Sequence, residues 1–99
     1  MTKAEKEHLG KVASLGCIVP MGRGRCEGPA ECHHIRTGQG LKRASDFETI
    51  PLCHLHHRNG GYGVAYHAGA EEWERRYGTE IELLKLTLVL LGVEDGKKI

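Results

Sequence analysis

Apolar residues recur at helical spacing near both ends of the chain, whereas the middle is polar and rich in glycine. At the beginning, Val12 belongs to a loose helical period that predicts a helix over 3–15. Near the other end, Trp73 and Tyr77 stand at positions i and i+4, so their side chains would share one helical face. This spacing predicts a second helix over 71–77.

A third helix is predicted over about 79–91, because Thr79 is a favourable N-cap residue and Gly92 is a typical helix end. Apolar residues lie on nearly every side of this segment, and a helix with that pattern is normally buried. A small domain buries only a limited core, so a homodimer contact through this helix is one interpretation. We favour the other, a core helix that also covers the N-terminal helix.

The middle of the chain is predicted to hold two short extended segments, Glu31–Arg36 and Phe47–Leu52, separated by the polar loop 37–46. A flexible turn follows at 60–63. Strands between helices predict an α+β fold. The 99 residues fit one domain, 1–99, and its small size and aromatic content of 5% favour a fold stapled by metal.

The chain holds four cysteines, which could form disulfides or bind metal. Its first residues are charged and lack the apolar core of a signal peptide, and no stretch is long and apolar enough to span a bilayer. The sequence therefore predicts a cytoplasmic protein with no membrane partner, whose thiols stay reduced. Cysteines interleaved with histidines then favour metal binding.

Residues 53–57 concentrate one thiol and three imidazoles. Cys53 and His56 have the spacing Cys-x-x-His, which lets one tight turn present two ligands to one metal ion. His57 is expected to point elsewhere, because adjacent side chains on a turn or helix do not share a face. His8, far from this segment, is expected to face solvent.

A structural Zn²⁺ site needs two more ligands beside Cys53 and His56. Cys17 and Cys26 are the natural pair, since three thiolates and one imidazole complete a tetrahedron that supplies folding energy. Cys32 competes for a place, but alternation along a strand is expected to turn it away from the zinc.

A second group of ligands lies upstream at His33-His34. On a strand these two side chains face opposite sides, so one imidazole can bind a metal while the other activates water. His57 is available as a further ligand. Phosphodiester hydrolysis needs these parts together with cations around the phosphate. The loop between the two strands supplies three such cations: Arg36, Lys42 and Arg43.

These residues resemble a known nuclease family. The HNH, or ββα-metal, motif is similar to His33-His34 combined with Leu52-Cys53-x-x-His56-His57. The small phage and prophage recombination nucleases of the Ref type are similar in Gly63-Val64-Ala65-Tyr66-His67 and in Trp73-Glu74. The resemblance implies a small zinc-stabilised ββα-metal (HNH) domain with flanking N- and C-terminal helices and a motif core at about 16–78.

By position, the resemblance implies that His34 is the general base and that His33 and His57 hold the catalytic metal. It also implies that His67 completes the ligands of that metal; a surface histidine is the alternative. The Asn with which the family orients its base is missing. Two acidic residues stand in its place: Asp46 and Glu48.

The resulting hypothesis is a metal-dependent endonuclease of phage or prophage origin that hydrolyses DNA in recombination or DNA processing in a bacterial cell. Its cofactors would be a structural Zn²⁺ and a catalytic Mg²⁺ or other divalent cation, and its partners DNA and a recombinase. Arg36, Lys42 and Arg43 would contact phosphates. The alternative is a non-catalytic zinc-stabilised module that binds DNA or protein. The net charge of +1 does not decide between them.

Overall fold

The computed structural model describes residues 2–19, 26–40 and 42–92. The Gly- and Arg-rich segment 20–25 and the polar tail 93–99 lie outside the described residues. Helices flank a two-stranded sheet, so the α+β class is confirmed. The elements in chain order are α1 (Lys3–Ser14), β1 (Ala30–His34), β2 (Thr49–Cys53), a π-helical turn (Leu55–Asn59), a 3₁₀ turn (Tyr66–Ala68), α2 (Ala70–Tyr77) and α3 (Glu80–Leu90).

Both long helices begin with a capping box, a reciprocal pair of hydrogen bonds that satisfies amides of the first turn. In α3 the Thr79 hydroxyl accepts from the Glu82 amide at 3.1 Å, and the Glu82 carboxylate accepts from the Thr79 amide at 2.9 Å. The predicted N-cap is therefore confirmed. The helix ends where predicted, since Leu91 is the C-cap and Gly92 has a φ of 82°.

The strands β1 and β2 form an antiparallel pair in which His33 faces Ile50 and Cys32 faces Pro51. The backbone nitrogen and carbonyl of Pro51 lie on the edge of β2 that faces away from β1, where the carbonyl accepts from the Ile18 amide at 2.8 Å. Because the ladder to β1 does not use this nitrogen, the missing N–H of proline is tolerated. Alternation along β1 places His33 on one face of the sheet and His34 on the other.

The core lies between this sheet and the last two helices, where Trp73, Ile50 and Leu52 have no exposed surface. The helix α3 packs against β2. The prediction of a core helix is confirmed for one side of α3, where Leu83, Leu84 and Leu88 join the core. On the other side Val89 is 66% and Leu90 is 55% exposed. Among the described residues, every helix is too short or too polar to cross a bilayer.

The turn after β2 is π-helical, and two hydrogen bonds hold its backbone in place. Trp73 donates from its indole Nε1 to the His56 carbonyl at 3.1 Å, so α2 holds the backbone between the two histidines. The Gly60 amide closes the turn on the Leu55 carbonyl at 2.9 Å. A Cβ at Gly60 would lie 2.4 Å from that same oxygen, so only glycine fits without a shift.

The helix α1 packs across β1 and β2. Its His8 is only 9% exposed, and its ring lies against Phe47 with the centroids 5.0 Å apart. The expectation that His8 faces solvent is therefore wrong: the apolar body of the imidazole serves as packing surface between the helix and the loop after β1.

Candidate functional site

Three thiols and one imidazole, here called the cysteine cluster, come together at the end of β2: Cys17, Cys26, Cys53 and His56. The His56 Nδ1 lies 3.3 Å from the Cys53 Sγ, 3.5 Å from that of Cys17 and 3.6 Å from that of Cys26. Zn–S bonds of about 2.3 Å and Zn–N bonds of about 2.0–2.1 Å place tetrahedral sulfur and nitrogen ligands about 3.6 Å apart. The cysteine cluster thus has the donor atoms and the spacing of a zinc site.

Local structure explains how these side chains meet. Cys53 ends β2, and the π-helical turn directly after it returns His56 beside Cys53. The bond from the Ile18 amide to β2 brings the neighbouring Cys17 to the same place. Burial raises the pKa of the Cys17 thiol, and the nearby Cys53 thiol adds to that rise. Burial also raises the pKa of the Cys26 thiol to about 12, whereas at Cys53 burial is outweighed by backbone hydrogen bonds, led by that from His56, which lower its pKa. Zinc binds the thiolate form, so metal binding competes with protons.

Cys32 lies outside the cysteine cluster. Its Sγ donates to the Leu9 carbonyl of α1 at 3.3 Å, on the side of β1 that α1 covers. The thiol is therefore occupied by packing between α1 and the sheet.

A second group, here called the histidine cluster, consists of His33, His57 and His67. The Nε2 atoms of His57 and His67 face each other at 3.1 Å, and the His33 ring lies 5.1 Å and 5.4 Å from these two rings by centroid. Burial is the main cause that lowers the pKa of both His57 and His67. Neutral imidazoles are the form that binds metal, so these shifts favour the metal-binding form of His57 and His67.

Carboxylates back two of these imidazoles on their far sides. Glu31 Oε1 lies 2.7 Å from the His57 Nδ1, and Glu80 Oε2 lies 2.5 Å from the His33 Nε2. Arg58 first, and then His57, lowers the pKa of Glu31 to about 2. Burial raises the pKa of Glu80, but hydrogen bonds led by that from His33 outweigh burial and hold it at about 2. A carboxylate behind a histidine is the usual outer support of a metal ligand.

Sequence reasoning missed both carboxylates. Glu31 carried a weak signal, since it lies on the same face of β1 as His33. Glu80 carried none, because an acidic residue in the first turn of a helix is common for reasons of the helix dipole alone.

His34 lies on the opposite face of β1 and pairs with Asp46. The His34 Nε2 is 2.7 Å from the Asp46 Oδ1, and an Arg43 guanidinium nitrogen is 3.0 Å from the same ring nitrogen. The hydrogen bond from His34 is the main cause that lowers the pKa of Asp46. An ionised carboxylate only accepts hydrogen bonds, so the bond to Asp46 requires the proton on the His34 Nε2 and leaves the lone pair on Nδ1. The Arg43 guanidinium, which only donates, then lies beside this nitrogen without a hydrogen bond to it and pairs instead with Asp46 at 3.8 Å.

Two open hollows border these histidines. One, of about 330 Å³, is lined by His34 and by the side chains of Arg36, Lys42 and Arg43. The other, of about 380 Å³, is lined by His67, Tyr66 and Arg36. Because Arg36 lines both hollows, they are neighbours on the surface.

The comparisons with known proteins give one family. The model of the family described as "recombination enhancement, RecA-dependent nuclease" matches residues 1–91. That span includes both clusters, the pair of His34 and Asp46, and α3. A search of the curated proteins finds no match for this chain.

Proposed function

Since this chain belongs to the recombination enhancement, RecA-dependent nuclease family, we propose that it is an HNH-type endonuclease that hydrolyses DNA phosphodiester bonds. One observation carries the proposal. The histidine cluster can hold a cation, and His34, the residue directly after its member His33, lies in a hollow lined by three cationic side chains. A cation site, a base and phosphate-binding side chains are the parts that this reaction needs.

His34 would act as the general base. Its Nε2–H is fixed on Asp46, so its Nδ1 would take a proton from the attacking water. Asp46 would orient the imidazole and stabilise its charge after that transfer. Asp46, with its Oδ1 2.7 Å from the ring, is thus favoured over Glu48 for the role that Asn has in other HNH enzymes.

The histidine cluster would hold the catalytic cation through His33, His57 and His67. When bound, a divalent cation at such a place stabilises charge on the phosphate and on the leaving oxygen. Three imidazoles without a carboxylate suit a transition-metal cation better than Mg²⁺, which prefers oxygen ligands. Among the divalent cations that the sequence left open, the donor set therefore favours the transition metals. The cysteine cluster would hold Zn²⁺ as part of the fold.

Arg36, Lys42 and Arg43 would bind phosphates on both sides of the scissile bond. They line the hollow at His34, and Arg36 continues to the hollow at His67. Phosphate contacts of this kind give affinity without reading sequence. The name of the family makes a RecA-type recombinase on that DNA the expected partner. A phage or prophage origin and a homodimer through α3 stay predictions.

Replacing His34 tests the proposal, because His34 belongs to neither cluster. We expect His34→Ala to lower the rate of plasmid cleavage by about 10²- to 10⁴-fold while the zinc content and the far-UV spectrum stay unchanged. Raising the Mg²⁺, Mn²⁺ or Ni²⁺ concentration should not restore the rate, because a cation does not replace a proton acceptor.

The matched control is His54→Ala. This histidine follows Cys53 in the chain but belongs to neither cluster: it is partly exposed and its ring pairs with Glu27 at 2.9 Å and with Asn59 at 3.0 Å. It should cleave as the wild type does. If His34→Ala cleaves as well as wild type across all these cations, His34 is not the general base and the proposed mechanism fails. A wild type that cleaves DNA with none of these cations would be the zinc-stabilised binding module and would overturn the nuclease proposal.

A further inference from the structure

Glu80 is a carboxylate whose side chain has no exposed surface, and both of its oxygens are used. Its Oε2 lies against the His33 Nε2 at 2.5 Å. Its Oε1 accepts from the Arg36 amide at 2.8 Å, from the Thr37 amide at 2.9 Å and from the Thr37 hydroxyl at 2.7 Å. The first residue of α3 therefore joins His33 of the histidine cluster to Arg36 and Thr37. These two residues lie at the start of the loop between β1 and β2, here called the basic loop.

Helix capping does not account for this arrangement. The first turn of α3 already has its capping box from Thr79 and Glu82, and the Glu80 amide is satisfied by the Glu74 carboxylate at 2.9 Å. The Glu80 side chain points away from those partners into the interior. The buried Glu80 carboxylate therefore acts on its hydrogen-bond partners His33, Arg36 and Thr37 and not on the helix end.

The contact with His33 decides which ring nitrogen can bind a cation. An ionised carboxylate only accepts, so the His33 Nε2 must carry its proton towards Glu80. The lone pair is then on Nδ1, the only ring nitrogen left for the cation. In the opposite tautomer Nδ1 would carry the proton and could not be a ligand.

The contact of Glu80 with the basic loop bears on how the proposed DNA substrate is bound. The amides of Arg36 and Thr37 are held by the other oxygen of the same carboxylate, and Arg36 lines both hollows. A shift of Glu80 would therefore move the cation ligand and the phosphate-binding side chain together.

We propose that Glu80 is the positioning residue of this site, fixing His33 in the tautomer and orientation that bind the cation and setting the basic loop against it. This inference rests on the proposed function of the histidine cluster as a cation site. It adds to the machinery a residue of α3 that lies 47 positions after His33 and outside the motif core at about 16–78.

Glu80→Gln is the sharpest test, because it keeps the shape and removes the charge. With its NH₂ group towards His33, the amide would donate to Nε2 and force the proton onto Nδ1, the ligand atom. With its oxygen towards His33, the NH₂ group would face the donating amides of Arg36 and Thr37. In either orientation we expect Mn²⁺ to bind the histidine cluster about 10- to 100-fold more weakly, with the zinc content unchanged.

The matched control is Glu82→Gln, two residues further along the same helix. Glu82 is exposed, and its hydrogen bonds among the described residues are those of the capping box, in which Gln can replace Glu. This change should therefore leave α3 folded and the Mn²⁺ affinity unaltered. Unchanged Mn²⁺ affinity in Glu80→Gln, beside a normal wild-type affinity, would overturn the inference and leave the proposed function intact. A wild type that binds no Mn²⁺, Ni²⁺ or Mg²⁺ at the histidine cluster would overturn the proposed function as well.

A measurement on the wild type keeps the test decisive even if Glu80→Gln does not fold. Imidazole ¹⁵N spectra of the protein, with zinc in the cysteine cluster and no other cation, should show His33 protonated at Nε2. A His33 protonated at Nδ1 would overturn the inference without any variant.

Discussion

The two clusters share one turn and differ in almost everything else. His56 belongs to the cysteine cluster and His57, the next residue, to the histidine cluster. The first offers four ligand atoms, enough to close a tetrahedron around Zn²⁺, whereas the second offers three imidazoles and leaves a position open. Under the proposed function, this difference in ligand number and donor type makes the cysteine cluster the structural site and the histidine cluster the catalytic one.

The clusters also tie different parts of the chain together. The cysteine cluster joins the segment after α1 to β2, through Cys17 and Cys53. The histidine cluster joins β1, the π-helical turn and the 3₁₀ turn, and reaches α3 through Glu80. Loss of the first should therefore loosen the whole domain, while loss of the second should leave the domain folded.

The largest effect, and the strongest test of the difference between the clusters, is expected from removing a thiol of the cysteine cluster. Cys53 is fully buried in the cysteine cluster, so Cys53→Ser should release the zinc and unfold the domain, because structural zinc is worth about 10–16 kcal/mol in small zinc domains. Cys32→Ser is the control, since a serine hydroxyl can keep the bond to the Leu9 carbonyl. It should change the free energy of unfolding by about 1 kcal/mol or less. Zinc analysis and urea denaturation followed by circular dichroism measure both, and a folded Cys53→Ser protein without zinc would refute the structural role.

The next largest effect is expected from replacing His57, the residue that follows His56 of the cysteine cluster. His57→Ala should stay folded with its zinc, because Glu31 keeps a second partner in Arg58, at 2.6 Å. Cation affinity should fall by more than the roughly 10- to 100-fold that loss of an outer partner costs. Cleavage should fall with it and recover partly at high cation concentration, unlike in His34→Ala. If His57→Ala instead loses its zinc and unfolds, the two clusters do not divide the work as argued.

The smallest expected effect concerns the basic loop. Changing Arg36, Lys42 and Arg43 to Gln should weaken DNA binding equally for all sequences and lower the salt dependence of log Kd by about one unit per lost contact. Arg75→Gln is the control, because Glu72 already pairs with that side chain at 2.6 Å. Fluorescence titrations of labelled DNA at several salt concentrations measure the slope. An unchanged slope in the triple variant would place the DNA path elsewhere on the protein.

Local features of the structure were predictable from the sequence, and long-range ones were not. The N-cap at Thr79 and the two strands follow from residue types and periodicity. The choice between Asp46 and Glu48 needed the path of the loop between the strands. The exposure of Val89 could not be predicted, because a pattern that is apolar all round does not show which side meets the sheet. The role of Glu80 could not be predicted either, because its partner His33 is in β1 and nothing near Glu80 in sequence indicates that contact.

The hydrogen bond between Glu80 and His33 also sets an order of events during biosynthesis. Translation delivers residues from the N-terminus onward, so every ligand of both clusters leaves the ribosome before α3 does. The cysteine cluster can be filled with zinc at that stage, and the strands can pair. The histidine cluster obtains its carboxylate from α3 only when that helix has emerged and docked against β2. The nascent chain can therefore bring the ligands of both clusters together first, whereas the carboxylate that supports His33 arrives last.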